Sequence, residues 1–359
     1  MHFLKLAIGL LKYHQAKRSG KCMRIKVSQF DDIFKRLDAD NIGYVVLRGL
    51  NPDGSRTPKD DIDLLIDISK RNKYKVAMTF AACHSKSGVP IDLYSVCSIR
   101  GFLFKRYPYY PPMLAKELLR SRVRAGDAFI LDGEMKLKSL VYHLLYQKMP
   151  FGKVDSQKKL VDQIMAIAGD RFTVAQLGSV QFLDARLKAS HFDMPFDLKS
   201  KFTSHEFFKR LVEADAEKCS SYRNDGDDGP DACLFVRTDV YPAAYERVVA
   251  EVSEKFSITH RFVLTEEAQR LEAARHFRGG NWYEGCRNEL FAPAAILFLK
   301  FKAMPNCIKG HAELQAWKEV LRARIGETMR SRVYGLHSSD SKIEAIHALD
   351  RCMELYGKG

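Results

Sequence analysis

The sequence predicts an α+β protein in which a mixed sheet, a helical region and a second sheet follow one another along the chain. Apolar strands separated by polar turns fill the first third, helical apolar spacing fills the middle, and strands alternate with helices in the last third. A chain of 359 residues with 46% hydrophobic content is long enough for two or three domains with their own cores. The predicted regions are an N-terminal amphipathic helix (1–24), a first sheet domain (25–135), a helical domain (136–220), a linker (221–231) and a second sheet domain (232–359).

The composition favours an anionic partner and a reducing compartment. The net charge of +14 is spread along the chain and not concentrated in one tail, so nucleotides rank above RNA as the predicted ligand. Eight cysteines are scattered without a Cys-x-x-Cys pair, which argues against a zinc site and against a disulfide framework. Because no apolar run approaches the length of a membrane span, we expect a cytoplasmic protein.

Residues 1–20 predict a helix with lysines near one apolar face, which consists of Phe3, Leu4, Ala7, Leu10 and Leu11. The apolar segment is short and lacks a small-residue cleavage site, which argues against a secretory signal. Two interpretations stay open. The helix packs on its own domain, or residues 1–18 lie peripherally on an anionic membrane as a basic amphipathic helix.

Carboxylates occur on two of the short strands predicted after a helix over Ile25–Asp38 and a strand over Tyr44–Leu47. The second strand carries Asp61 and Asp63, which share one face because successive side chains of a strand alternate. After a segment over 69–82 that is predicted as a helix, or as a helix and a strand, a further strand, VPIDLY, carries Asp92. Two carboxylates about 7 Å apart on one strand are suited to a hard divalent cation. The alternative is a core strand whose acids merely face water.

The order of Gly49, Asp61-Ile62-Asp63 and Asp92 resembles the signature of DNA polymerase β-type nucleotidyltransferases. That signature is a strand ending in Gly-Ser or Gly-Gly, then Asp-x-Asp, then a third Asp on a neighbouring strand. The form LRG…DIDLLI is most similar to uncharacterised nucleotidyltransferases encoded near bacterial surface-polysaccharide genes, and the helix YHLLYQK after the sheet domain is also typical of them.

This resemblance implies the roles of the site residues. Asp61, Asp63 and Asp92 would hold Mg²⁺ or Mn²⁺, and Asp92 would also help to activate the acceptor. The nucleoside triphosphate, such as ATP, would be met by Arg48, Gly49 and Lys59. Leu50 departs from the pattern, which has Ser or Gly at that position.

The middle of the chain is predicted to be largely helical. Proline excludes a helix over Tyr107–Pro112, which predicts either a substrate-facing loop whose aromatics stack on a base or sugar, or core and turn packing. A strand follows over Ala128–Leu131. Helices are then predicted over Leu137–Lys148, Val161–Ala168, Thr173–Leu177 and Phe182–Leu187.

The last third alternates strands and helices. Strands are predicted over Cys233–Tyr241 and Thr259–Leu264, and a strand or short helix over Pro293–Lys302. Helices are predicted over Ala243–Phe256, from a Thr265 cap to Ala274, over Trp317–Arg324 and over Ile343–Leu355.

Residues 231–357 contain three segments that resemble motifs of nucleoside diphosphate kinase, which has a ferredoxin-like fold. They are Arg237-Thr238-Asp239, the run from Arg322 to Thr328, and His337-Ser338-Ser339-Asp340-Ser341. The resemblance implies that His337 is phosphorylated and that the nucleotide is bound by Arg237, Arg322, Thr328 and Ser339. Departures are Arg237 for Lys, Tyr334 for Asn and Ala348 for an acid. The alternative is that Ser338–Ser341 caps the last helix and His337 is a turn residue.

Together these resemblances predict a Mg²⁺-dependent transfer of a nucleoside monophosphate from a triphosphate to a hydroxyl or phosphate acceptor. A surface-polysaccharide precursor is the favoured acceptor class, and a nucleotide-binding or phosphohistidine domain would follow. Two alternatives stay open: a catalytically inactive nucleotide-sensing or assembly module, indicated by Leu50, Tyr334 and Ala348, and an RNA-binding or RNA-modifying protein, indicated by the charge of +14.

Overall fold

The computed structural model describes residues 2–28, 30–57, 61–69, 71–97, 99–151, 157–200, 206–207, 211, 229–277, 292–329 and 335–357. The described residues up to Met194 form one compact unit, and those from Pro195 onward form a second. The mixed α+β class is confirmed, and so is a mixed sheet, which has six strands among the described residues. The finer boundaries stay predictions, and residues 221–228 of the predicted linker lie outside the described residues.

The first unit consists of a sheet with its helices, followed by a helical segment. Its elements are α1 (His2–Ser19), β1 (Met23–Val27), α2 (Phe30–Ala39), β2 (Tyr44–Arg48), β3 (Ile62–Ile66), α3 (Lys73–Ala82), β4 (Val89–Ser95), α4 (Pro112–Arg120), β5 (Val123–Ala125), β6 (Ala128–Ile130), α5 (Gly133–His143), α6 (Lys158–Ala168), α7 (Val174–Leu177) and α8 (Val180–Ala189).

The sheet of this unit has the order β1-β4-β3-β2-β6-β5. The pairs β3–β4 and β2–β6 are parallel, and the other pairs are antiparallel. Strands β2, β3 and β4 carry almost continuous buried apolar residues, as expected for the centre of a sheet covered on both faces. The acidic positions therefore lie on the inner strands.

The first strand corrects the sequence-based interpretation. A helix was expected from Ile25, but Ile25 and Val27 belong to β1, and α2 begins only at Phe30. Met23, Ile25 and Val27 are buried while Arg24 and Lys26 are exposed, which is the alternation of a strand with one covered face. A five-residue run fits both periodicities, and pairing with β4 decides between them.

Helix α1 packs on α3 through a face different from the expected one. Gly9, Tyr13 and Ala16 are buried, and a Cβ at Gly9 would lie 2.1 Å from the Cβ of Ala81. Leu11, expected on the apolar face, is 69% exposed. Packing on its own unit is therefore confirmed, and membrane contact stays a prediction. None of the described helices combines the length and the apolarity needed to cross a membrane.

The tyrosines before α4 pack in the core. Tyr109 and Tyr110 are each 1% exposed, so stacking of these two rings on a base or sugar is wrong and the packing alternative is confirmed. Helix α5 continues into a π-helical turn over Leu144–Lys148 and a 3₁₀ turn over Met149–Phe151. Such π turns are rare and recur at functional sites.

The second unit is a sheet with helices on both faces. Its elements are α9 (Phe196–Ser200), β7 (Ala232–Arg237), α10 (Tyr245–Lys255), β8 (Phe256–Val263), α11 (Glu267–His276), β9 (Pro293–Phe301), α12 (His311–Met329), β10 (Leu336–Ser338) and α13 (Lys342–Tyr356).

All strand pairs of this sheet are antiparallel, in the order β10-β7-β9-β8. One core joins Leu234 and Leu336 to apolar residues of α10 and α12, and a second joins Phe235 to apolar residues of α11 and α13. The predicted Thr265 cap is wrong, because Glu266 and Gln269 form the capping box of α11. The segment from Pro293 is a strand.

Candidate functional site

Four charged residues form a row across adjacent strands of the first sheet. Arg24 on β1 is paired in register with Asp92 on β4, Asp92 with Asp63 on β3, and Asp63 with Arg48 on β2. Residues directly opposite each other in a sheet point to the same face. The row therefore places two carboxylates side by side between two arginines, and Asp61 lies just before β3.

Each carboxylate of this site contacts an arginine. Arg24 forms an ion pair with Asp61, and its Nη1 lies 3.4 Å from Oδ2 of Asp92. Arg48 Nη2 lies 2.6 Å from Oδ2 of Asp63. The side chains of Arg48 and Asp63 are each 13% exposed, whereas those of Arg24 and Asp61 are 56% and 41% exposed. The inner pair is thus shielded, and the outer pair is open to water.

Asp92 has an unusual electrostatic position. Burial raises its pKa to about 6, the negative charge of Asp63 adds to the effect, and Arg24 opposes it. Its Oδ1 is buried and has no hydrogen-bond partner among the described residues. Such an acceptor is costly to keep and marks a place where a proton or a ligand is expected.

The β2–β3 connection brings its backbone against Asp61. Gly49 has φ +95°, and a Cβ there would lie 2.5 Å from the carbonyl oxygen of Asp61, so only glycine fits without displacement. The Gly49 carbonyl accepts a hydrogen bond from the Thr57 N–H at 3.0 Å. Leu50 is buried and bridges to Arg56. Lys59 lies outside the described residues.

A cleft of about 1000 Å³ opens over this row. Its strand-side wall includes Arg24, Arg48, Asp61, Asp63 and Asp92, all five named above. A helical wall of the lining comes from α5, the π turn and α6, with His143, Gln147, Lys148, Lys159 and Gln163. The cleft therefore combines arginine-paired carboxylates of the strands with amide, imidazole and ammonium groups of the helices.

Two residues of the cleft were missed from the sequence. Arg24 was missed because β1 was interpreted as helix, although the alternation in MRIKV was the available signal. Lys136, in the first turns of α5, donates from Nζ to the carbonyl of Leu47 at 2.6 Å. Burial lowers the pKa of Lys136 to about 8, the positive charge of Arg48 adds to the effect, and Asp63 opposes it. No local sequence pattern pointed to it.

A polar network joins two residues of the helical wall, His143 and Gln147, to the buried Tyr109. Nδ1 of His143 is 2.7 Å from the hydroxyl of Tyr109 and 2.9 Å from Oε1 of Gln147, whose Nε2 donates to the Tyr109 carbonyl at 3.0 Å. Burial lowers the pKa of His143 well below its ordinary value, with Arg48 adding to the effect. His143 is therefore a neutral residue that orders the π turn next to the cleft.

In the second unit, Arg237 and His337 lie together. Arg237 Nη1 is 3.2 Å from Nε2 of His337, and Arg237 Nε is 3.3 Å from Oδ1 of Asp239. Because arginine can only donate, this Nε2 is the accepting nitrogen. Gly335 lies beside them, and a Cβ there would lie 2.4 Å from Oδ1 of Asp239. His337 is in strand β10 and is not a turn residue.

The other predicted residues of this unit have structural contacts. Arg322 donates to the carbonyl of Leu336 from Nε at 3.0 Å and to Glu319 from Nη1 at 2.5 Å. Ser339 is fully buried and exchanges hydrogen bonds with the backbone of Cys233, which extends the β10–β7 pairing. Ser341 caps α13 as the alternative predicted. Thr328 lies in α12, and its side chain is outside the described part of the chain.

Comparison with models of protein families, with curated proteins and with solved structures found no match. Function must therefore be inferred from the geometry of the two sites.

The donor set of the first site fits a hard divalent cation, since it offers three carboxylates, one with an unpartnered oxygen. Among the described residues, however, Asp61, Asp63 and Asp92 do not place one oxygen each within 4.8 Å of the other two. They are paired with arginines instead. A cation held by all three would thus take over partners that Arg24 now occupies.

Proposed function

We propose that the first unit is a Mg²⁺-dependent nucleotidyltransferase. The observation that carries the proposal is the row of Asp63 and Asp92 on neighbouring inner strands, with Asp61 beside them and Gly49 at the turn, on the floor of a large cleft. The polymerase β-type signature predicted this combination from sequence. The architecture of a nucleotidyltransferase domain is part of the same proposal.

The residues would act as follows. An acceptor oxygen attacks the α-phosphorus of the triphosphate, a new P–O bond forms, and the bond to the β-phosphate breaks as pyrophosphate leaves. Asp92, with its pKa raised by burial to about 6, accepts the proton of an acceptor hydroxyl. Arg48 stabilises phosphate charge. Mg²⁺, held by Asp61, Asp63 and Asp92, would supply neutralisation of the triphosphate.

The cleft has room for more than a nucleotide. Its volume of about 1000 Å³ lies at the upper end of ordinary ligand pockets, so donor and acceptor fit together. Amides and ammonium groups on the helical wall suit a hydroxyl-bearing or phosphorylated acceptor. A surface-polysaccharide precursor rests on the family resemblance alone.

The test uses α-³²P-labelled ATP, CTP, GTP and UTP with Mg²⁺ and a cell extract as the source of acceptor. We expect label on an acceptor with wild-type protein and none with Asp61→Asn/Asp63→Asn. Asp170→Asn, an exposed aspartate outside the lining of the cleft, is the control and should retain activity. Equal labelling by the double variant and the wild type would rule the proposal out.

We also propose, as a second function, a nucleoside diphosphate kinase-like domain in the second unit. Counted in chain order, its strands lie in the sheet as 4-1-3-2, with α10 and α12 on one face, which supports a ferredoxin-like fold. The specific observation is the contact between Arg237 and His337, residues 100 positions apart.

In this chemistry a ring nitrogen of His337 attacks the γ-phosphorus, the diphosphate leaves, and a second diphosphate later takes the phosphoryl group. Arg237 would stabilise the transferred charge. The test is acid-labile, alkali-stable label from γ-³²P-ATP, expected with wild type and lost in His337→Asn. His311→Asn is the control, because His311 packs on Phe301. Label that persists in His337→Asn would exclude this role for His337, and no label with wild type would leave nucleotide binding without phosphoryl transfer.

The remaining proposals concern location and the open alternatives. We propose a cytoplasmic location, with membrane contact through residues 1–18 as a separate hypothesis. If neither label is transferred while nucleotide still binds, the sensing or assembly module is the better interpretation.

A further inference from the structure

Lys136 lies in the cleft with little to balance its charge. Its Nζ donates to one neutral acceptor, the carbonyl of Leu47, and no second hydrogen bond of Nζ to another described residue is found. The charged groups that shift its pKa are Arg48 on β2, which lowers it, and Asp63 on β3, which raises it. Asp63 is already paired with Arg48 at 2.6 Å.

Arg48 also has a hydrogen-bond donor without a partner. Its Nη2 meets Asp63, but its Nη1 is buried and has no hydrogen-bond partner among the described residues. A buried donor without a partner is unfavourable, because it has lost its hydrogen bonds to water. Two cationic groups therefore lie beside one carboxylate, and both have unused donors.

The wider surroundings of the cleft do not remove this excess. The charged groups that line it are Arg24, Arg48, Asp61, Asp63, Asp92, Arg124, Asp132, Lys136, Lys148 and Lys159. Asp61 and Asp92 are paired with Arg24, although Oδ1 of Asp92 has no hydrogen-bond partner among the described residues. The described part of the lining thus carries six cationic and four anionic side chains, a balance that favours an added anion.

We propose that Lys136, with Arg48 behind it, forms an anion subsite that binds a phosphoryl group of the substrate. The identity of that substrate rests on the proposed nucleotidyl transfer. Two sources share this chemistry, the phosphates of a nucleoside triphosphate and a phosphorylated acceptor. The subsite itself is defined by Lys136 and can be tested without turnover.

Binding at this subsite has a proton signature. Burial and Arg48 hold the pKa of Lys136 at about 8, so above that pH the amine is mostly neutral. A phosphoryl oxygen beside Nζ raises the pKa of Lys136, and the anion therefore binds with proton uptake between pH 8 and 9. Affinity for the anion accordingly decreases as the pH rises through this range.

The experiment is isothermal titration of the full-length protein with inorganic tripolyphosphate at pH 7 and pH 9, in buffers of different ionisation enthalpy. We expect Lys136→Met to weaken binding about 10- to 100-fold and to abolish proton uptake. Lys136→Arg should retain its affinity for tripolyphosphate at pH 9 without proton uptake, because arginine stays protonated at this pH. Lys138→Met is the matched control on the same helix, because Lys138 is absent from the cleft lining and its Nζ lies 6.0 Å from the centroid of the Phe192 ring.

Parallel titrations with glucose 1-phosphate distinguish the two sources. Loss of tripolyphosphate binding alone in Lys136→Met assigns the subsite to the nucleotide, and loss of glucose 1-phosphate binding alone assigns it to the acceptor. Wild-type affinities of Lys136→Met for both probes, or no binding of either probe by wild type, would overturn the inference. Lys136-dependent binding without transfer of α-³²P label would instead keep the subsite and remove the proposed transferase activity.

Discussion

Asp92 holds its negative charge where burial and the neighbouring Asp63 both oppose it. A carboxyl whose pKa is raised by folding binds its proton more tightly in the folded state than in the unfolded chain. Ionised Asp92 therefore costs stability above pH 6, and the cost disappears as the pH falls below its ordinary value of 3.8. Proposed function and stability are in conflict at this residue.

We expect Asp92→Asn to raise the free energy of unfolding at pH 8 by about 1–3 kcal/mol, because the ionisation cost is removed. Below pH 4 the variant and the wild type should be equally stable. Urea unfolding across this pH range measures the difference, with Asp170→Asn as an exposed control that should be neutral throughout. A gain that does not depend on pH would contradict the assignment.

Arg24 gives a second prediction at the residue scale. Its guanidinium group forms ion pairs with Asp61 and Asp92. Because the Arg24 side chain is 56% exposed, it can release both carboxylates and be solvated by water. Because a cation at these carboxylates must replace Arg24, we expect Arg24→Gln to bind Mn²⁺ about tenfold more tightly. Electron paramagnetic resonance of free Mn²⁺ measures this affinity. Arg124→Gln, which removes a cleft arginine paired with Asp38, should leave it unchanged. Weaker binding by Arg24→Gln would show that Arg24 orders the carboxylates instead.

At the scale of elements, the turn between β2 and β3 determines where Asp61 lies. We expect Gly49→Ala to destabilise the first unit by about 2–4 kcal/mol, since φ is +95° and the new Cβ meets the Asp61 carbonyl. Nucleotidyl transfer should decrease with it. Gly126→Ala is the control that separates backbone strain from the steric clash of the new Cβ. Gly126 also has a positive φ, +56°, but a Cβ there would lie 3.6 Å from its nearest atom, the carbonyl oxygen of Asp53. Equal costs for the two variants would mean that the contact with Asp61 is unimportant.

Strand β1 shows why some secondary-structure elements were assigned wrongly from the sequence. Arg24 and Lys26 alternate with Met23, Ile25 and Val27, yet five residues followed by a real helix also satisfy helical spacing. Longer or more distinctive segments were predicted well, including β2, β4, α5 and α13. Short segments depend on their partner strand, and that partner lies 68 residues away for Arg24 and Asp92.

At the scale of the whole molecule, the charge of +14 predicts electrostatic RNA binding without sequence preference. We expect a single-stranded RNA to bind at 20 mM salt and to lose most of its affinity by 200 mM, with no displacement by ATP. Fluorescence anisotropy over this range gives the slope of log K against log salt. RNA affinity without a steep dependence on salt would exclude the RNA-binding or RNA-modifying alternative.

The sequence by itself determined the class of the fold, most strands and helices, and the positions of Asp61, Asp63, Asp92, Arg237 and His337. The elements and the aspartates on short strands follow from local periodicity and spacing, which are properties of neighbouring residues along the chain. Arg237 and His337 were indicated only by the resemblance to nucleoside diphosphate kinase. Tertiary structure decided what these residues meet. It paired Arg24 with the acids, placed Lys136 beside Leu47, 89 residues earlier, and joined Arg237 to His337 across 100 residues. Such contacts depend on strand order and helix packing, and no local pattern encodes them.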